Sequence, residues 1–304
     1  MNHGALIFLG LLASFVASWW ALIFAPHMQV GTQKSAEVDG FPFPRGLPGI
    51  AAQGREVFVA QGCVQCHSQQ VQQDGFTFDV VITGAGTNAA NVSKVIASVA
   101  PDANANELLA KASESSPQPV LKNVTQSVAE DAQAKLKKAG APSQVVFIPL
   151  GADIARRWGA RRSVARDYLH DYPVQTGNSR LGPDLANIGT RMPDANWHLM
   201  HLYHPRTVVK GSIMPAYKYL FDVRPVGKEP SPSALVVPEE FAPKKGYEIV
   251  PKREALQLVA YLQSLHVDTP LFEAPATQLA PPPAPAGTNA PGATNAPATN
   301  PPAK

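Results

Sequence analysis

Residues 5–25 form an unbroken apolar run of 21 residues in which Ser14 and Ser18 are the only polar side chains and no charge occurs. At ~1.5 Å per residue such a helix is about 32 Å long, enough for a hydrocarbon layer of ~30 Å. Trp19 and Trp20 sit near its far end, where interfacial aromatics anchor, and Pro26 is expected to end it. The run is too long for a signal-peptide core, no Lys or Arg precedes it, and no small-x-small cleavage site follows it cleanly, so it reads as an uncleaved anchor.

Beyond the anchor the pattern changes several times. Residues 29–50 end in a Gly- and Pro-rich run and predict an extended linker. Residues 51–61 and 254–265 carry apolar positions at helical spacing, the second with Leu258, Tyr261, Leu262 and Leu265 on one face. Residues 225–251 hold six prolines and predict irregular chain. Between Phe78 and Phe147 no aromatic occurs. That stretch alternates as β-α-α-β-α-β over 76–83, 92–99, 106–112, 118–124, 127–138 and 144–148, with Ser127 and Glu130 spaced as a capping box. The Pro/Ala/Thr/Asn-rich end lacks the apolar content needed to order itself.

Composition narrows the function. The 304 residues carry a net charge of +3, too little for nucleic acid to be the main partner, and 45% hydrophobic residues, enough for a packed core. Cys63 and Cys66 are the only cysteines, which excludes a disulfide scaffold, a four-cysteine zinc site and a cubane cluster held by this chain alone.

Those cysteines belong to Cys63-Val64-Gln65-Cys66-His67, a C-x-x-C-H motif. One helical turn sets both thiols along one edge of a porphyrin, to add to its vinyl groups, and aims the following His at the iron. A dithiol redox site needs a βαβ context that is missing, and a zinc site needs further ligands. The motif predicts covalent haem c, with His67 as one axial ligand. Haem c is attached outside the cytoplasm, so residues after 28 are expected in the periplasm and the N-terminus inside. The second ligand is expected at Met214, in the irregular loop 211–217 held by Pro215, where a class I cytochrome c supplies its thioether. Met192, Met200, His170, His198, His201 and His204 are the other candidates. A His/Met pair raises the potential relative to two His. In class I cytochromes the Pro carbonyl of a Gly-Pro turn accepts the second ring N–H of the axial His, a role that falls to Pro183. His198, His201 and His204 are spread over a helix too widely for one compact site and are expected at a surface or partner contact. Arg156, Arg157, Arg161, Arg162 and Arg166 predict either a solvated helix face or a site for anionic lipid, haem propionates or an acidic partner.

The segments GREVFVAQGCVQCHSQQV, DYPVQ, RLGPDL, WHLMHL and SIMP, with the anchor, resemble subunit II of cbb3-type cytochrome c oxidases, the mono-haem subunit. The resemblance covers residues 5–25, 50–72 and 155–265. It implies a mainly α chain with an anchor (1–28), a class I cytochrome c domain (29–75 and 149–269), an inserted α/β domain (76–148) and a disordered tail (270–304). It further implies one covalent haem on Cys63 and Cys66, ligated by His67 and Met214. Electrons would pass from a di-haem subunit or soluble c-type donor to the low-spin haem b of the catalytic subunit in a bacterial inner membrane, with no oxygen-reducing site on this chain. The loop 177–180 would face that subunit near its haem propionates, implicating Arg180, with a calcium ion near Ser179. The alternatives are the cytochrome c subunit of a membrane nitric oxide reductase and a free membrane-tethered carrier.

The insert itself resembles the C-terminal domain of the ribosomal large-subunit stalk protein. That family's Gly-Leu-Gly-Leu-Lys run is replaced here by Asp102-Ala-Asn-Ala-Asn106, so an accessory or interaction module is expected rather than a ribosomal role.

Overall fold

The computed structural model describes residues 3–38 and 40–277. Contacts divide them into two compact units, one from the residues up to Thr77 and from Phe147 to Thr277, the other Phe78–Val146. Helix and strand are mixed in both; the first unit, expected to be mainly α, also carries two two-stranded sheets.

In the first unit the apolar segment is helical over Gly4–Gly31, and among the described residues it alone is long and apolar enough to cross a membrane. Pro26 does not end it. The regular helix Gly4–Trp19 passes into wider turns at Trp20–Phe24 and His27–Gly31. There Ala25 N–H reaches back to Trp20 O, five residues earlier. Such winding accommodates a residue that lacks an N–H and crowds the preceding turn. The expected extended linker is also corrected, because Ala36–Val38 pairs antiparallel with Phe41–Phe43.

Helices Gly49–Ala60 and Arg253–Gln263 cross at the centre of this unit. Ala51 and Phe58 of the first helix are buried, as are Ala255, Leu258, Val259, Tyr261 and Leu262 of the second. The Phe58 and Tyr261 rings meet at 5.3 Å. The crossing needs Gly54, because a Cβ there would overlap the Gln257 carbonyl and lie 2.8 Å from Tyr261 Cβ. Helix Ala195–Tyr203 packs its buried His198, Leu199, Leu202 and Tyr203 beside them. Asp194 caps it by accepting from Asn196 N–H at 2.9 Å.

Two further expectations fail here. Within the proline-rich stretch, Tyr247–Pro251 forms a strand paired with Phe221–Pro225. Pro225 and Pro251 stand at the strand ends, where a missing donor costs least, and the buried Ile249 anchors the ladder. The chain is also ordered beyond residue 270. Leu271, Ala274 and Ala276 are buried. Arg161 donates to Thr269 O at 2.5 Å, Arg162 to Glu273 O at 2.6 Å, and Arg166 pairs with the Glu273 carboxylate at 2.6 Å. Arg166 also donates to Lys34 O. The expected disordered tail, from 278 onward, lies outside the described residues. These arginines are therefore not one solvated helix face. Arg161 is wholly buried and makes a two-pronged pair with Asp167, at 3.0 and 2.7 Å. Matching its donors in this way offsets the cost of burying the cation.

The second unit holds most of strand Gly75–Ile82, helices Ala89–Val99 and Ala105–Lys111, strand Gln118–Val124, helix Gln126–Lys138 and the first half of strand Ser143–Leu150. The first strand is the middle one of three. Val80, Ile82, Val92, Ile96, Leu109, Val120 and Leu136 form a core of its own. Asn88 and Asn104 cap the first two helices, accepting from the N–H of Asn91 and Glu107. The expected capping box does not form. The third helix starts at Gln126 after an extended Thr125, so Ser127 already lies inside its first turn and Glu130 accepts from the Gln126 amide instead.

Candidate functional site

Gly62 adopts φ +65°, a conformation that glycine reaches at little cost, and closes the Gly49–Ala60 helix. The chain then makes one tight turn over Cys63–Gln65, with Cys66 N–H and His67 N–H both donating to Cys63 O. Both thiols are free and half-buried on that turn. Burial pushes the Cys63 thiol up to about 11.

The partner segment lies far along the chain. His67 Nδ1–H donates to Pro183 O at 2.8 Å, since a carbonyl can only accept. In the neutral ring this leaves Nε2 with its lone pair, and burial lowers the His67 pKa despite the opposing pull of the Pro183 bond and of Asp184. Flanking bonds hold the two segments together. Gly182 N–H donates to Cys66 O at 2.9 Å and Leu185 N–H to Ser68 O at 2.8 Å. Ser179 Oγ–H donates to Gln65 O. A Cβ at Gly182 would overlap the His67 ring, so glycine is required for this approach.

Met214 packs in the same apolar cluster as Cys63, Val64 and Tyr217. Its loop is fixed by Tyr217 N–H to Leu202 O at 2.9 Å and by Met214 N–H to Ser212 Oγ at 3.2 Å. Met192 and Met200 also border this cluster, Met200 from within its helix.

Of the three histidines His198 is buried, while His201 and His204 are half-buried. His198 is buried and donates from Nε2 to Met192 O at 2.7 Å. The His201 ring stacks on Trp197 at 4.8 Å, and burial, with smaller contributions from His67 and His198, pushes it down to about 4 against the pull of the Pro205 backbone. His204 lies 4.4 Å from the Phe241 ring. The surface or partner contact expected for these histidines is corrected for His198, which serves internal packing. His170 donates to Pro44 O at 3.2 Å. Among the described residues no three His, Cys, Asp or Glu side chains converge as a metal-ligand set.

Arg180, in the loop expected to face the catalytic subunit, donates within this chain to Asp153 Oδ1 and Ser68 Oγ, each at 3.0 Å, and to Gln70 O. A second cation, close to His67 and not singled out by the sequence patterns, is Arg191. Its Nη2 donates to Asp184 O at 2.8 Å, while its Nη1 is buried with no partner. The charge of Arg191 acts on His67. A buried guanidinium nitrogen without an acceptor is costly, and a porphyrin carboxylate would satisfy it. Its signal in the sequence is an Arg eight residues after the Gly-Pro turn, in LANIGTR. Two thiols on one turn, a tautomer-fixed imidazole, a thioether packed against the same cluster and a guanidinium with one unsatisfied buried nitrogen together fit a haem.

Residues 141–233 match the family model described as cytochrome C oxidase, mono-heme subunit/FixO. No curated protein matches the chain. The match supports a mono-haem subunit of a cytochrome c oxidase, an oxidoreductase complex acting in electron transport, and hence one haem. It includes Arg180, Pro183, Arg191 and Met214 and stops short of the Cys63–His67 motif, so the two lines of support come from separate parts of the chain.

Proposed function

We propose that this chain is the membrane-anchored mono-haem c electron-transfer subunit of a cbb3-type haem–copper oxidase. The observation that carries it is the His67–Pro183 hydrogen bond, which joins the C-x-x-C-H motif to the segment matched by the oxidase family across 116 residues. Cys63 and Cys66 would hold the haem as thioethers, and His67 Nε2 and the Met214 sulfur would ligate its iron. Of the three methionines bordering the site, Met192 and Met214 lie outside regular elements, and Met214 is held in a loop pinned to the helix Ala195–Tyr203 by the Tyr217–Leu202 backbone bond. Met192 carries the carbonyl that anchors His198, and Met200 is fixed in its helix. When bound, the haem supplies a one-electron carrier at a potential raised by thioether ligation. The chain's residues would set its orientation: Pro183 fixes the tautomer of His67, and Arg191 would pair with a propionate. The Gly4–Gly31 helix tethers the site to the bacterial inner membrane with the N-terminus inside, so the haem faces the periplasm beside the catalytic subunit and its low-spin haem b.

The test is to isolate the full chain in mild detergent from cells competent in haem c attachment. One haem c per chain by pyridine haemochrome, together with a many-helix partner carrying haem b, is the expected result. Isolation as a haem-loaded monomer would make it a free tethered carrier, and absence of haem would overturn the proposal.

The Phe78–Val146 unit, which has its own core and resembles the ribosomal stalk domain, is proposed as an accessory docking module. Deleting 78–146 is expected to leave haem loading intact and to deplete partner subunits from the purified complex. Unchanged partner content would reduce it to a spacer.

A further inference from the structure

Asp184 is fully buried directly after the carbonyl that fixes His67. Its Oδ2 accepts from Ser68 Oγ–H at 2.5 Å and from Gln70 N–H at 2.8 Å, and its Oδ1 accepts from Ala186 N–H at 2.8 Å. One carboxylate thus clamps the residues following His67 to the residues following Pro183, on either side of the hydrogen bond that orients the imidazole. The nearest counter-charge is Arg180, whose Nη2 lies 3.7 Å from Oδ2. Arg180 also donates to Ser68 Oγ at 3.0 Å, so the serine hydroxyl sits between the two charges, accepting from one and donating to the other. The guanidinium is kept in place by Asp153 at 2.9 Å and lies 5.6 Å from the centre of the Trp158 ring.

We propose that Asp184 and Arg180 are opposed positioning residues that set the reduction potential of the site. This inference rests on the haem reading above. Asp184 acts in two ways with the same sign. Its negative charge stabilises the oxidised, more positive centre, and its clamp keeps the Pro183 carbonyl on Nδ1, which makes the imidazole a better donor to oxidised iron. Arg180 works against it by screening the carboxylate and by adding positive charge behind the same loop. In a low-dielectric setting a charge of either sign has a leverage that it would lack in water. Arg180 therefore has a task apart from direct contact with the cofactor, which its engagement by Asp153 and Ser68 leaves it poorly placed to make.

The experiment is a spectroelectrochemical titration of the full-length, haem-loaded chain and two variants. Asp184→Asn is expected to move the midpoint to more positive potential, lowering the oxidised-to-reduced ratio at fixed poise several-fold. Arg180→Gln is expected to move it the opposite way by a similar factor. In both, the reduced alpha band should stay at the parent position, which shows unchanged ligation. A loop that served structure alone would give no such divergence of sign. Midpoints that stay put, or that shift in the same direction, overturn the proposal. If Asp184→Asn fails to fold, Arg180→Gln decides alone: a more negative midpoint supports it, and an unchanged or more positive one overturns it. Covalent haem in the parent chain is measured first. Its absence overturns the functional reading along with this one, whereas haem present with non-divergent midpoints overturns this one only.

Discussion

The double substitution Cys63→Ala/Cys66→Ala is expected to abolish covalent haem while leaving both folded units intact. Each single substitution should reduce attachment. Haem staining of a denaturing gel measures this, because only a thioether-linked porphyrin survives denaturation. The expectation follows from the geometry of the turn. Cys66 and His67 both close back on Cys63 O, so the two thiols and the imidazole leave one short segment together. No further cysteine exists to take over either bond. The cost to the fold should be small, because both cysteines are half-buried and Ala retains the turn's backbone bonds. Circular dichroism should therefore be almost unchanged. Stain retained by the double variant would remove the basis for a c-type site.

How much of this was legible beforehand depended on the range of the interaction involved. Helices Gly49–Ala60 and Arg253–Gln263 announce themselves through local apolar spacing, and the Cys63–His67 motif through five consecutive residues. Gly182-Pro183 is equally local, although its pairing with His67 rests on the resemblance to class I cytochromes. What stayed hidden needs partners distant in the chain or surroundings that override composition. Arg161 looks like part of a charged, solvated run until Asp167 and Thr269 O are found around it. Arg191 carries no local mark of its unpaired buried nitrogen. The prolines at 225 and 251 mask a strand pair because only at strand ends do they cost nothing, and end position is not visible from proline count. Pro26 likewise looks like a stop, and the helix passes it by widening its turns. Glu273 seemed to begin a structureless tail because its neighbours are Pro and Ala, whereas two arginines more than 100 residues earlier hold it.

Met214→Ala is expected to leave the haem attached, since both thioether bonds come from elsewhere, while lowering its potential on the order of 100 mV, a modest part of the ~0.8 V that axial ligands span. A fall of that size shifts a one-electron equilibrium by roughly fiftyfold, at ~59 mV per factor of ten. Oxidase turnover should slow accordingly if this haem delivers the electrons. The substitution also tests the choice among neighbours. Met192 and Met200 border the same apolar cluster, and His201 lies within electrostatic reach of His67. If one of these is the ligand, Met214→Ala costs only packing and the potential does not move. Replacement by Ala of whichever of Met192, Met200 and His201 is the ligand should then produce the fall. Replacement of Met214 by His, which retains ligation by a stronger donor, should lower the potential without exposing the iron to exogenous ligands. The Ala variant, by contrast, should bind added imidazole or carbon monoxide. An unmoved potential with no new ligand binding at residue 214 would place the sixth ligand elsewhere in the cluster.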